Sequence, residues 1–390
     1  MNRKFEEACL RTLDDARTIY NAALSQRISL YTYAGRSISY YEQSRQLTNA
    51  RELPEVKACL RSIQQDALER LDAAFKAFFR RCKQRRGRNR CGESPGFPRF
   101  KARDRYHTFS QKIEKVRGCP LKGDKLTVPG VGTCRVRLSR EIEGTAKQLR
   151  ITRRVDGWYV LLVCDLPKPE ALPATGNTVG IDVGLENFAT LSTGETIDNP
   201  RFLRQAERRL KTAQRQVSRR KKGSQRRKKA VKLLGQQHLH VQRQRKNFQF
   251  EQAAPIVRDF DVIVVEDLKI KNMVKNPFLA KSISDAGWGN FLKILASKAE
   301  NAGRRVEKVK PHYSSQDCSS CGERMRLSLA QREFKCLVCG VTLHRDLNAA
   351  INLKGRVALS GMKAVVPAPS DEPRTARHVT SVSHGREARF

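Results

Sequence analysis

The chain has 390 residues, with 77 Lys and Arg against 39 Asp and Glu and a formal net charge of +38. At ~100–200 residues per domain there is room for two or three domains, a hydrophobic content of 39% rules out a wholly disordered chain, and no apolar run nears the ~20 residues that span a bilayer. So large a basic surplus points to a polyanionic partner, because Lys and Arg that contact phosphates release counterions; a merely soluble cationic surface is the alternative.

The opening MNRKFEEACLRTLDDAR has no apolar stretch of the export-signal kind. Eleven cysteines without such a signal fit a reducing cytosol better than a disulfide scaffold. The predicted elements then begin with helix-like sequence over Tyr20–Phe79. Within it Tyr40 and Ser44, and Arg61 and Gln65, stand one helical turn apart and are candidates to address base edges together; a plain surface role is the alternative. Phe75, Phe78 and Phe79 read as an apolar core face. The stretch Arg80–Phe109, including Arg99 and Lys101, mixes Arg with aromatics and turn residues, which favours nucleic acid over lipid. Lys125–Asp165 reads as strands.

Thr178–Leu185 is a short apolar strand with Asp182 in it, followed by a second strand over Asn187–Ser192. Between Arg201 and Lys246 there are 18 Lys and Arg and one acid, Glu207. Apolar residues recur at Leu203, Leu210, Val217, Val231 and Leu234, so the segment reads as two helices joined near Gly223–Ser224 with one strongly basic face. Arg219, Arg220, Lys221, Lys222, Arg226 and Arg227 are its candidate phosphate contacts. Phe260–Leu268 is a buried-type strand ending in Glu266, and His344–Leu353 looks like the first turns of a helix carrying Asp346.

An acid within an apolar strand costs several kcal/mol unless something pairs with it. Asp182 alone would equally be a strand-end cap or an ion-pair partner; three acids on two strands and a helix start could converge on divalent cations and activate water against a phosphodiester. The four cysteines Cys318, Cys321, Cys336 and Cys339 form two C-x-x-C pairs, each followed by Gly. Four thiolates at this spacing favour a closed, structural Zn²⁺ over two redox motifs. No Walker loop, Ser-His-Asp arrangement or internal repeat is present, and the other His residues have no metal spacing; His344 could at most assist the acids.

GIDVGLENFATLSTG (180–194), RRKKGSQRRKKA (219–230), VIVVEDLKIKNM (262–273), SISDAGWGNF (282–291), SSQDCSSCG (314–322) and CLVCGVTLHRDLNAAINL (336–353), with GFPRFK (96–101), resemble the TnpB family of transposon-encoded RNA-guided nucleases, related to compact type V Cas12 effectors. The order Asp…Glu…Asp also matches a RuvC nuclease rather than a transposase whose Glu comes last. The resemblance implies an α/β RNase H-like (RuvC) domain over 178–313 carrying the basic hairpin 201–254, a zinc-ribbon insert over 314–343 and a final RuvC helix over 344–358. Ahead of these it implies a helical recognition lobe over 1–90 and a wedge β-barrel of oligonucleotide-binding type over 91–177; 359–390 reads as a disordered tail.

The resemblance further implies Asp182, Glu266 and Asp346 as catalytic ligands of two Mg²⁺, and the four cysteines as zinc ligands. Tyr40, Ser44, Arg61 and Gln65 would stand near motif-reading positions. A guide RNA and double-stranded target DNA are the implied partners, with one protein copy per guide and no membrane, in a prokaryotic cytoplasm at the nucleoid. Family members usually open with a strand ahead of the first helix, and this sequence begins at the helix. A CRISPR-associated effector of the same chemistry, and a guided DNA-binding regulator with little cleavage, are the alternatives; a transposase working without RNA is disfavoured.

Overall fold

In the computed structural model the described residues are 2–50, 59–86, 95–113, 119–167, 169–328, 331–360 and 388–389. The chain divides into two units, one up to Pro167 and one from Lys168 onward, with the C-terminal stretch from Arg377 assigned to the first. The division falls earlier than the expected 177/178 boundary.

In the first unit, α1 (Arg3–Ala34) starts where the Asn2 side chain accepts from the Lys4 amide and ends at Gly35, whose left-handed φ of 61° lets its amide turn back to the last carbonyls. Phe5, Cys9, Leu13, Ala16, Tyr20 and Leu24 recur every three or four residues and are buried, so one stripe of the helix faces the core. A Ser39–Glu42 capping box opens α2 (Tyr40–Asn49), and α3 (Arg61–Arg86) follows. Strands β1 (Thr108–Lys112), β5 (Thr145–Arg154) and β6 (Gly157–Asp165) pair antiparallel; β2 (Leu121–Lys122), β3 (Lys125–Val128) and β4 (Gly132–Arg135) make a second sheet. The strands expected over 125–165 are therefore present, in two antiparallel sheets among the described residues. Helices and strands share one core, in which Leu68, Leu71 and Phe75 of α3 join Phe109, Leu126 and Ile151. Phe75 and Phe78 are core as expected; Phe79 is 59% exposed and is not. Most of the tail lies outside the described residues, but Ala388–Arg389 (β14) pairs with Tyr159–Val160 of β6, which departs from the fully disordered tail expected.

The second unit is built on a five-stranded sheet in the order β11-β10-β7-β8-β9, comprising β7 (Thr178–Asp182), β8 (Asn187–Leu191), β9 (Thr196–Asp198), β10 (Val262–Glu266) and β11 (Arg305–Val309). Three consecutive buried residues in both β7 and β10 mark strands covered on both faces. The basic segment forms the expected pair of helices, α4 (Phe202–Ser218) and α5 (Gln225–Asp259), with Ser224 capping the second. Val231 is 46% exposed; the buried positions are Ala230 and Val241 instead. α5 runs through Pro255, beyond the expected end at 254, because Ala253, Ile256 and Val257 are buried against the sheet and outweigh the lost backbone bond. Short α6 (Ile270–Met273), α7 (Pro277–Ala286) and α8 (Trp288–Asn301) follow β10; Gly287, at φ 69°, ends α7 and starts α8. Trp288 is buried as a packing residue. The hairpin β12 (Glu333–Lys335) and β13 (Thr342–His344) leads directly into α9 (Arg345–Ser360), which ends two residues beyond the expected 358. Among the described residues no helix is long and apolar enough to cross a membrane.

Candidate catalytic and metal sites

β7 and β10 are parallel, with Val262, Ile263, Val264 and Val265 opposite Thr178, Val179, Gly180 and Ile181. One step further along both strands brings Glu266 opposite Asp182 at their C-terminal ends, on strands ~4.8 Å apart. Val179, Ile181, Ile263 and Val265 belong to the core under α5 and α8. By alternation Gly180, Asp182, Val264 and Glu266 belong to the other face. That face is covered by α9: a Cβ on Gly180 would run into the Ala350 carbonyl and lie 2.7 Å from the Lys354 amide nitrogen. Asp346, one turn before Ala350, is buried, and a Cβ on Gly184 would lie 3.6 Å from its Oδ2. The three acids thus gather at one edge of the sheet beneath the start of α9.

Burial pushes the Asp182 carboxyl well above the usual carboxylate range, and the charges of Glu266 and Asp346 push it further, against the pull of Arg345. Burial also raises Glu266; the hydrogen bond that Ser314 Oγ donates to its Oε1 at 2.7 Å and the charge of Arg356 oppose this. Like charges crowded where water is scarce suit a hard divalent cation with oxygen ligands. The acids are less tightly drawn than the thiols, which are the one close group of metal-ligating side chains among the described residues. His344 Nδ1 accepts from the Asp346 amide at 3.3 Å, at the helix start.

The ligand atoms of Cys318, Cys321, Cys336 and Cys339 all lie within 4.8 Å of one another. Sγ atoms of Cys318 and Cys339, and of Cys321 and Cys336, are 3.6 Å apart. Four sulfurs on a tetrahedral Zn²⁺ at ~2.3 Å would be ~3.8 Å apart, so the donor set fits that ion. Each turn closes through the glycine after its second cysteine: the Gly322 amide bonds the Cys318 carbonyl at 2.9 Å and the Gly340 amide the Cys336 carbonyl at 3.1 Å. The Cys339 amide, with that of Val338, holds the Cys336 thiol down at about 7, against its burial. Phe334 of β12 is fully buried against Cys318 and Cys336.

The expected nucleic-acid readers are scattered in environment. Arg61 is exposed at the start of α3, with Gln65 half-buried one turn on. Tyr40 and Ser44 are half-buried on α2, whereas the neighbouring Tyr41 is 81% exposed. Arg99 is exposed; Lys101 has its backbone clamped by Asn21 at 2.8 and 3.0 Å and its Nζ 5.8 Å from the Tyr20 ring, so it braces α1. Arg219, Arg220, Lys221, Lys222 and Arg226 are exposed around the α4–α5 turn, and Arg227 is half-buried.

Four residues that sequence reasoning did not single out shape these sites. Ser314 holds Glu266, and Asn348 and Asn352 tie α9 to the segment around Cys318. Buried Asp285 accepts from the Leu203 and Arg204 amides at 2.9 and 3.2 Å and from Arg245 at 3.1 Å. It caps α4, whose own first residue offers no side-chain cap, and pins both helices of the basic hairpin to α7. Its place in the motif SISDAGWGNF (282–291) is the sequence signal for it.

Residues 161–277 match the model of a family described as "Probable transposase", and residues 288–353 that of the "Cas12f1-like, TNB domain". A relative from Streptomyces pristinaespiralis, described as a "Putative RNA-guided DNA endonuclease", is 33% identical over 88% of this chain and 84% of its own. The CRISPR-associated endodeoxyribonuclease Cas12f1 of Sulfoacidibacillus thermotolerans is 27% identical over 55% of this chain and 54% of its own. A cryo-EM structure of a CRISPR-Cas12f ternary complex aligns at 17% identity and a TM-score of 0.37, over 89% of this chain and 81% of that one, a likeness too slight to argue a shared fold. At 33% identity over 88% of its length to the Streptomyces pristinaespiralis relative, this chain belongs to the TnpB family of RNA-guided DNA endonucleases.

Proposed function

We propose that this protein binds a guide RNA and double-stranded DNA and hydrolyses DNA phosphodiesters at Asp182, Glu266 and Asp346, in an RNase H-like (RuvC) domain. The observation that carries the reading is that Asp182 and Glu266 each follow the last paired residues of parallel strands, Ile181 and Val265, and that Asp182 feels the charges of both Glu266 and Asp346. Two Mg²⁺ held by these carboxylates would supply an activated water and stabilise the leaving oxygen. Ser314 keeps one oxygen of Glu266 engaged and so fixes which way the other is turned. The exposed Arg and Lys around the α4–α5 turn contact phosphates without regard to sequence, while guide–target pairing reads the sequence. The four cysteines hold a structural Zn²⁺ in a zinc-ribbon insert whose second strand leads straight into Asp346, so its metal also steadies the catalytic edge.

The test is Asp182→Ala in protein purified with the RNA expressed from its own locus. Cleavage of matched DNA vanishes and guided binding of that DNA persists. A variant that cleaves as well as the parent, or a parent that cleaves free of RNA, overturns the reading.

A further inference from the structure

Asn348, Asn352 and Arg356 stand four residues apart on α9 and so share one face. All three reach to the same piece of chain, Lys310–Ser319, which leaves β11 and enters the first thiol turn. Arg356 donates to the Lys310 and His312 carbonyls. Asn352 Nδ2 donates to the Ser314 carbonyl at 2.8 Å and to the Asp317 carbonyl at 2.6 Å. Asn348 Nδ2 donates to the same Asp317 carbonyl at 2.8 Å, and its Oδ1 accepts from the Ser319 amide at 2.9 Å. Asn348 is completely buried, so its amide has no exchange with water to fall back on.

This segment joins the two sites. At one end Ser314, also buried, holds Glu266. At the other, Ser319 lies between Cys318 and Cys321, so the bond from its amide fixes the thiol turn itself. Just before Ser314, Tyr313 adopts a left-handed φ of 58°, a conformation that persists only where surroundings impose it. Arg324, from the far side of the same thiol turn, lies 3.6 Å over its ring and pairs with Asp317 at 2.7 Å. Helix α9 therefore grips a strap whose ends touch a cysteine turn and a catalytic carboxylate, while carrying a second carboxylate, Asp346, on its own first turn.

We propose that Asn348 and Asn352 are positioning residues that lock this strap to α9, so that the metal on the four thiols and the carboxylates of Glu266 and Asp346 are held as one body. The inference rests on the function proposed above. It implies that loosening the asparagines weakens both metal sites at once, although neither residue is a ligand of either.

The test uses the full chain with its guide RNA and three readings: zinc release to a chromogenic chelator, the Mg²⁺ concentration for half-maximal cleavage, and guided DNA binding without Mg²⁺. Asn348→Leu removes both of its bonds at similar volume. Zinc should leave about tenfold faster and the Mg²⁺ midpoint rise about tenfold, the size of effect that outer-shell partners of metal sites have; DNA binding stays as it was. Ser314→Ala cuts only the last link, so the Mg²⁺ midpoint rises with zinc release unchanged. Asn348→Asp, which keeps the acceptor for Ser319 and loses the donor to Asp317, should fall between the parent and Asn348→Leu. If Asn348→Leu does not fold, half-buried Asn352→Leu takes the same readings and should shift both. An asparagine variant that moves one metal site without the other, or neither, overturns the coupling. Its failure is distinct from failure of the proposed function, in which Asp182→Ala would go on cleaving.

Discussion

The two proposed metal sites of the second unit are built in opposite ways. Each pair of thiols comes from a single turn, backbone amides face a sulfur, and the four sulfurs already stand at a tetrahedral spacing. The acids come from two strands and a helix far apart in the chain, and the charges of Glu266 and Asp346 add to burial in pushing the Asp182 carboxyl up. A site made of local turns depends on a few φ angles and its ion. A site made across a sheet depends on strand register and on how closely a helix can approach. Because the first thiol turn is bonded to α9 and moves with it, a change that lifts α9 off the sheet as a whole should strike the acids and spare the thiols.

Gly180→Ala applies the strongest such perturbation. Its new Cβ meets backbone atoms of α9 at Ala350 and Lys354, and neither can swing aside as a side chain would. The helix must lift, carrying Asp346 with it. Overpacking of this kind costs about 1–3 kcal/mol, and a misplacement of ~1 Å at reacting groups can cost about a hundredfold in rate. Single-turnover cleavage should fall by that order, a urea melt should show the lost stability, and zinc content measured by mass spectrometry should not change. Loss of zinc instead would mean that the thiol turns depend on the approach of α9 as much as the acids do.

Stripping the zinc is the reciprocal perturbation, with a smaller and more local effect. Beyond the strap that α9 grips, the described residues of the thiol segment have a small core around Phe334, so without its ion the second thiol turn and the β12–β13 hairpin should loosen most. Hydrogen exchange should quicken there and along the start of α9. Strands β1 and β5 should keep their protection, because their core of Phe109, Leu149 and Ile151 belongs to the first unit. Faster exchange in those strands as well would make the zinc a determinant of the whole chain.

The same contrast governs what could be read from sequence. Thiol spacing is local, so the four cysteines and their glycines were legible outright. The apolar strands around Asp182 and Glu266 were legible from pattern, and so was the turn between the basic helices at Gly223–Ser224. The register that sets Asp182 beside Glu266 was not, since it belongs to two strands at once. Helix phase is legible only in part: Val231, on the expected apolar stripe, is exposed, while its neighbour Ala230 is buried. Phe79 fails likewise: it lies at the border of the face shared with Phe75 and Phe78, packs against their rings, and is left 59% exposed. Asn348 and Asn352 read as ordinary polar helix residues. Their partners lie in an irregular segment whose path no periodicity records.

The smallest expected effect is one of sign. Burial and two like charges hold the Asp182 carboxyl above its unfolded value, so the folded state binds that proton more tightly than the unfolded state does. The stability tied to it is therefore present in acid and is lost as pH rises from the unfolded value through the folded one. Asn carries no charge to bury. Without added Mg²⁺, Asp182→Asn should melt above the parent, with the gain negligible near the unfolded pKa of about 4 and growing toward neutral pH; added Mg²⁺ should narrow the gap by stabilising the parent. Cys336→Ser at the thiol site should show no such gain at any pH, since the Cys336 thiolate is favoured there by backbone amides rather than opposed by neighbouring charge. If Asp182→Asn melts with or below the parent near neutrality, the acids stand too far apart or too wet to repel. The cross-sheet site would then need no ion to hold it together, and the contrast with the thiols would disappear.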